Sequence, residues 1–200
     1  MIKQLMKIPH EVCLAFSGGV DSLAVAHFLK RGGKNVTLLH FNHGCQYSDT
    51  IQQQCEARAS FLGCRMLSMA MPEGECPKGQ SIEDYWRRAR YNALRKYANS
   101  VEQKLITCHH LDDAVETWIW SSMHGEGKVI PAEDATVIRP FLTTEKAEFV
   151  SYAERHGLTP VDDPYNNELD LTRNYIRHVM MPHVLKINPG IKKVVRKKYL

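Results

Sequence analysis

Ser17-Gly18-Gly19-Val20-Asp21-Ser22 follows a short apolar run and opens a helical pattern. Backbone N–H groups at a helix N-terminus carry partial positive charge and bind phosphate. Gly18 and Gly19 let the backbone approach closely and take conformations closed to other residues, and Ser17 and Ser22 add hydroxyl donors. Asp21 would repel phosphates, and it makes sense there as a ligand for a magnesium ion that bridges them. A tight turn capped by Asp21 or Ser22 would use the same residues, but the whole string in this context favours the phosphate site. The Walker loop and the G-x-G-x-x-G dinucleotide loop are both absent from the chain.

A second cluster reads His109-His110-Leu-Asp112-Asp113-Ala-Val-Glu116-Thr117. With a helix starting near 111, Asp113 and Glu116 share a face, and His109 can approach the same spot from four residues before Asp113. Such a carboxylate pair can bind magnesium or a cationic amine. Acidic residues in a first turn also offset the helix dipole, which accounts for Asp112 better than for the whole cluster. His40, Asn42 and His43 lie at the end of another strand, where ligands bind in parallel sheets. They suit adenine and ribose contacts, and equally a polar turn. Arg87 and Arg90 sit together beside an apolar helical face made by Ile82, Tyr85, Trp86, Ala89, Ala93 and Tyr97. Glu83 is spaced to pair with Arg87, which leaves Arg90 as the better candidate to meet a carboxylate or phosphate.

The elements that must position these groups alternate. Apolar runs at 11–16, 36–41, 65–70, 104–108 and 137–138 read as strands. Helical patterns at 20–31, 48–62, 81–97, 111–123 and 143–156 lie between and after them. Ser48 or Asp49 is the expected cap of the second helix, and Ser81 with Asp84 forms a variant capping box on the third. This alternation predicts an α/β fold with a doubly wound parallel sheet. Residues 171–200 read as one or two basic helices around Pro189-Gly190, an extension of the α/β domain at 1–170.

The chain of 200 residues can bury a full core, and its 44% apolar and 24% charged content is ordinary for a globular protein. No apolar run is long enough to span a bilayer and no secretory leader is evident, so a cytoplasmic protein is expected. The six cysteines form no C-x-x-C pair, which argues for reduced thiols and against a zinc or iron–sulfur site. Residues 171–200 carry eight Lys or Arg and no acidic residue, leaving 18 basic against 22 acidic residues before them. A mildly acidic body with a basic tail suggests a polyanionic partner, or a solvated helical face.

The Ser-Gly-Gly-Val-Asp-Ser string resembles the pyrophosphatase loop of the N-type ATP pyrophosphatases, the PP-loop superfamily, with its adenine nucleotide alpha hydrolase-like fold. The loop alone does not choose a substrate. Taken with His40-Phe-Asn-His-Gly44, the 109–117 cluster, Arg87-Arg-Ala-Arg-Tyr91, Ile138-Arg-Pro-Phe-Leu142, Val161-Asp-Asp-Pro164 and Arg173-Asn-Tyr-Ile-Arg177, the chain is similar to the catalytic domain of the tRNA(Ile)-lysidine synthetase family from about Glu11 to Pro189. That resemblance implies an ATP-dependent ligase. The wobble cytidine of a CAU-anticodon isoleucine tRNA is adenylated, pyrophosphate leaves, and free L-lysine displaces AMP to form lysidine.

The resemblance also implies roles. Ser17, Gly18, Gly19 and Ser22 cradle pyrophosphate, and Asp21 helps hold Mg2+, with Asp113 as a second metal ligand. His40, Asn42 and His43 contact the nucleotide. Asp113 and Glu116 bind lysine, His109 or a carboxylate accepts its proton, and Arg90, Arg87 and Arg173 contact phosphate, the lysine carboxylate or RNA. Lys192, Lys193, Arg196, Lys197 and Lys198 are expected on the tRNA backbone. A homodimer fits this reading. The stretches Gly44-Cys-Gln-Tyr47 and Gly125-Glu-Gly-Lys-Val129 depart from the family pattern, and the family generally carries further C-terminal domains. A tRNA thiolation enzyme and a non-catalytic nucleotide- or tRNA-binding module are the competing readings. The first is disfavoured by the cysteine spacing and the second by the intact acidic cluster.

Overall fold

The computed structural model describes residues 2–72, 76–79, 81–162, 164 and 172–200. Five parallel strands, β1 (Glu11–Ala15), β2 (Asn35–Asn42), β3 (Arg65–Ala70), β4 (Lys104–Ile106) and β5 (Val137–Ile138), form one sheet in the order β3-β2-β1-β4-β5. β1 is central and covered on both faces. Val12 and Leu14 point into a cluster with Leu23, Leu29, Leu38 and Phe149, while Cys13 points to Leu39, Leu94, Ala98 and Leu105 on the other face. Burial on both sides is why the strand reads as a continuous apolar run rather than an alternation.

Helix α1 (Val20–Arg31) packs against α5 (Lys146–Arg155) on the first face, with α2 (Ser48–Phe61) contributing Cys55 and Ala59 to the same cluster. Helix α3 (Ile82–Ser100) covers the opposite face through Leu94 and Ala98. The doubly wound expectation therefore holds. Among described residues no helix is long and apolar enough to cross a membrane, and Cys13, Cys55, Cys64 and Cys108 are free thiols. Burial pushes the Cys55 thiol up to about 12 and Cys13 up to about 11, so both behave as buried apolar groups.

Several local expectations are corrected. Tyr47 rather than Ser48 or Asp49 sits at the cap of α2, because Ser48 is already helical and its hydroxyl accepts from Cys45 N–H at 3.0 Å. Ser81 does precede α3, but its side chain makes no capping bond, and Asp84 pairs with Arg88 at 2.9 Å. Ile82, expected on the buried face of α3, is 42% exposed. β4 ends at Ile106 rather than Cys108, and α5 begins at Lys146 rather than Thr143. Residues Asp163 and 165–171, with part of the Val161-Asp-Asp-Pro motif and the 170/171 boundary, lie outside the described residues.

The tail forms α6 (Thr172–Tyr175), a π-helical turn (Ile176–Met180), α7 (Met181–Ile187) and α8 (Ile191–Arg196), interrupted at Pro189-Gly190 as its sequence suggests. Met181 N–H bonds the Ile176 carbonyl, and Pro182, which has no N–H to give, follows at once. Ile176, Met181, Ile191 and Val195 pack on Leu111, Ala114, Val115 and Ile119 of α4 (Leu111–Met123).

Two of the tail cations expected on RNA are instead tied to the body. Lys192 lies 2.6 Å from Asp112 and 3.2 Å from Glu145, and Arg196 lies 2.8 Å from Glu145. Burial would raise both carboxylate pKa values, but the Lys146 amide and Lys192 at Asp112, and Arg196 with Lys192 at Glu145, outweigh it and lower them. Lowered carboxylate values give stability that is complete above the ordinary range and lost as pH falls through the folded values. Titration from pH 6 to below 3.8 should therefore detach α8 before the sheet melts. Amide resonances of residues 191–196 should shift while those of β1 stay in place.

Candidate active site

The order of the sheet reverses between β1 and β4, and segments leaving neighbouring strands there open a crevice. A cavity of about 920 Å³ lies at this place. Its wall includes Phe16, Ser17, Asp21 and Ser22 after β1, His40 to His43 at the end of β2, Thr107 to His109 after β4, and Asp113, Glu116 and Thr117 of α4. α3 adds Trp86, Arg87, Arg90 and Tyr91, and the tail adds Arg173 and Arg177.

At the loop, Gly18 takes φ +76° and Gly19 takes φ −62° ahead of α1. Ser22 holds the turn by donating to the Gly19 carbonyl at 3.1 Å and accepting from Ser17 N–H at 3.3 Å. Gly18 and Gly19 do not line the cavity; they set the turn that aims α1 at it, with Ser17, Asp21 and Ser22 on the wall. Asp21 carries a buried oxygen, Oδ1, without a hydrogen-bond partner. Its other oxygen is 3.7 Å from Nε2 of His110.

The three residues expected at the nucleotide separate by what they already bind. Asn42 donates to Asp49 at 2.9 Å and to Gln52 at 3.1 Å, and accepts from Gly44 N–H at 2.8 Å, so it fixes the turn. His40 is buried with Nδ1 3.0 Å from the Phe16 carbonyl, which ties β2 to the loop. His43 packs between Phe41 and Trp86, and its buried Nδ1 has no partner. Burial, with Arg90 and His40 nearby, lowers its pKa to about 4, leaving a neutral ring with a polar atom in the cavity wall.

Around the acidic cluster the structure changes the partners. His110, not His109, contacts Asp113. It caps α4: its backbone N–H donates to Asp113 Oδ2 at 3.0 Å, and its Nδ1 accepts from the Asp113 amide at 3.3 Å. Burial alone would lower the His110 pKa; Asp113, Asp21 and Asp112 overcome this and raise it. His109 instead bonds Thr107 Oγ1 through Nδ1 at 2.8 Å. Burial lowers its pKa to about 3, against the opposing effect of Asp113 and with help from Arg87, Arg173 and Arg139. A base that weak is poorly matched to an ammonium proton, so the expected proton-accepting role moves away from His109.

Glu116 and Asp113 are held by Arg177. Its Nε donates to Glu116 Oε1 at 2.8 Å, and its Nη2 to Glu116 Oε2 at 2.9 Å and Asp113 Oδ1 at 3.1 Å. Both Asp113 oxygens are thereby engaged, so of the two residues expected at a metal, Asp21 is the one with an oxygen to spare. Sequence reading passed over Arg177 and His110 as site residues. Arg177 lies 61 positions from Glu116, and an N-cap histidine is no recognised start signal.

Arg87, Arg90 and Arg173 have no carboxylate partner among the described residues. Arg87 lies over the Tyr91 ring at 4.8 Å, and the expected pair with Glu83 does not form. Burial and mutual repulsion lower the pKa of Arg87 and Arg90. These three guanidiniums share the cavity with the start of α1, an arrangement whose chemistry suits an anion. No group of three or more His, Cys, Asp or Glu among the described residues could enclose a metal. Magnesium fits such a place all the same, since it takes one or two carboxylates and completes its shell with phosphates and water.

A parallel sheet whose switch point carries a phosphate-ready helix N-terminus and a spare carboxylate defines a nucleotide-binding α/β unit. The chain belongs to the PP-loop domain family, whose profile matches residues 1–184. Its curated relatives include tRNA(Ile)-lysidine synthases. That of Vibrio cholerae is 31% identical over 98% of this chain and 47% of its own length. That of Pseudomonas aeruginosa is 35% identical over 86% and 41%. The chain thus spans less than half the length of these relatives. The fold is shared with an NH3-dependent NAD synthetase from Campylobacter jejuni, at TM-score 0.55 and 14% identity over 95% of this chain and 84% of that one. An NMN synthetase from Francisella tularensis gives TM-score 0.55 and 14% identity over 75% and 63%.

Proposed function

We propose that the chain forms lysidine. It adenylates the wobble cytidine of a CAU-anticodon isoleucine tRNA with ATP and Mg2+, then joins free L-lysine to it in the cytoplasm. The observation that carries this reading is the convergence on one cavity of the PP-loop, the unpaired Asp21 oxygen, the uncompensated arginines and the Asp113–Glu116–Arg177 group. The names of the relatives agree with it.

In this reading the turn at 17–22 and the first N–H groups of α1 take the β- and γ-phosphates, and Asp21 would hold Mg2+, which would supply positive charge to the leaving pyrophosphate. His43 meets the nucleotide, while His40 and Asn42 shape its pocket. Arg90 and Arg87 face the phosphates, and Arg173 faces RNA or the lysine carboxylate. The cytosine O2 attacks the α-phosphorus and pyrophosphate leaves. The lysine ε-amine then attacks C2, AMP leaves, and the amine gives up a proton. Asp113 and Glu116 bind that amine beside Arg177. Two unshielded carboxylates would raise the amine's pKa and keep it protonated; a shared guanidinium limits that effect. The catalytic unit extends over 1–170, with 171–200 as its basic helical extension.

Sulfur transfer is the weaker alternative. Cys108 lines the cavity, but burial, with Asp21 and Asp113 adding to it, pushes its pKa well up, so it is a thiol and not a reactive thiolate.

Incubation with ATP, labelled lysine and a panel of tRNA transcripts tests the reading. Incorporation should be confined to the CAU isoleucine tRNA, with AMP and pyrophosphate released in step. Asp21→Asn should lower the rate by roughly 10²–10³-fold. Absence of release when tRNA and lysine are both present would overturn the assignment.

A further inference from the structure

On α4, the residues facing the cavity are Asp113, Glu116, Thr117 and Trp120, a spacing that puts them on one side of the helix. Trp120 is the outermost, one turn beyond Glu116 and about 6 Å further along the axis. It is 42% exposed, whereas its neighbour Trp118 packs with the tail. A tryptophan is usually well buried, so one standing half in water at a cavity mouth asks for a partner. The His124 ring lies 4.5 Å away at a tilt of 36°, and His124 Nδ1 is 2.8 Å from the Trp120 carbonyl. The two rings make an aromatic shelf. In the same cavity, Arg87, Arg90 and Arg173 lack carboxylate partners among the described residues.

We propose that Trp120 stacks on an unpaired nucleobase adjacent to the base that enters the cavity. Unpaired RNA combines a π-face with a phosphate chain, which matches an aromatic shelf beside uncompensated arginines. The proposal rests on the RNA-modifying function above and adds a residue that selects substrate by stacking rather than by hydrogen bonds.

The test uses the full chain and an RNA stem-loop with a CAU loop. 2-Aminopurine is placed in turn at each loop position flanking the reactive cytidine. Trp120→Ala should raise the KM for RNA roughly 5- to 100-fold and leave the KM for ATP unchanged. Trp120→Tyr and Trp120→Phe should retain most of the affinity. The probe at one flanking position should be quenched by the wild type and not by Trp120→Ala. Equal RNA KM and equal quenching in wild type and Trp120→Ala would overturn the proposal while the function stands. A raised ATP KM with unchanged RNA KM overturns it too, by giving the ring to adenine. A wild-type protein that neither releases AMP nor quenches any probe would remove the RNA reading itself, and the stacking with it.

Discussion

Arg177→Met should destabilise the protein by about 3 kcal/mol at neutral pH. The side chains of Glu116 and Asp113 are only 7% and 13% exposed, and removal of the guanidinium leaves Glu116 without its cation and Asp113 with His110 alone. The loss should shrink on acidification. Burial would raise the Asp113 pKa, but His110, His109 and Arg177 outweigh it and lower it in the folded protein. Its contribution is therefore full above the ordinary carboxylate range and disappears as pH falls through the lowered value. Without Arg177, protonation relieves the repulsion, so urea melts of wild type and variant should draw together as pH falls from 7 and converge only below 3.8, through the lowered Asp113 value. Arg177→Lys should fall between the two, because it keeps the charge and loses the two-pronged geometry. If the proposed lysidine-forming reaction is this chain's, Arg177→Met should bind lysine more tightly and react more slowly, since the amine would sit protonated between carboxylates stripped of Arg177. A variant as stable as wild type at pH 7 would show that the pair does not depend on Arg177.

Gly18→Ala should be the other severe change. At φ +76° an added Cβ is strained wherever it points, and this one would lie 2.6 Å from Val161 Cγ2 and 2.7 Å from Cys55 Sγ. The Gly18 carbonyl also accepts from Val161 N–H at 2.9 Å, so the loop cannot move away without breaking that bond. Strain and overpacking together should cost about 2–4 kcal/mol, and displacement of the loop should abolish ATP binding measured by calorimetry. Gly19 is the internal control. Its φ of −62° suits any residue, and an added Cβ meets only Ser17 Oγ at 3.5 Å. Gly19→Ala should stay within about 0.5 kcal/mol of wild type. Adding Val161→Ala to Gly18→Ala should recover only the part due to Val161 Cγ2, and leave the Cys55 clash and the backbone strain.

The sequence by itself determined the alternation of strands and helices, the parallel sheet and the phosphate loop. These rest on signals confined to a few neighbouring residues: a doubly buried strand such as Val12-Cys13-Leu14, a helix ended by Gly32-Gly33, and two glycines between strand and helix. It also put Asp113 and Glu116 on one helical face, because three residues nearly complete a turn.

Only the tertiary structure decided which charges meet. Arg177 reaches Glu116 across 61 positions because a π turn and Pro182 set the tail helices against α4. Lys192 and Arg196 look like free tail cations, yet they pin α8 to Asp112 and Glu145. His109 and His110 are adjacent, and the turn out of β4 sends one to Thr107 and the other to the cap of α4. An ion pair depends on distance in space, and spacing along the chain reports that distance only within one helix or strand.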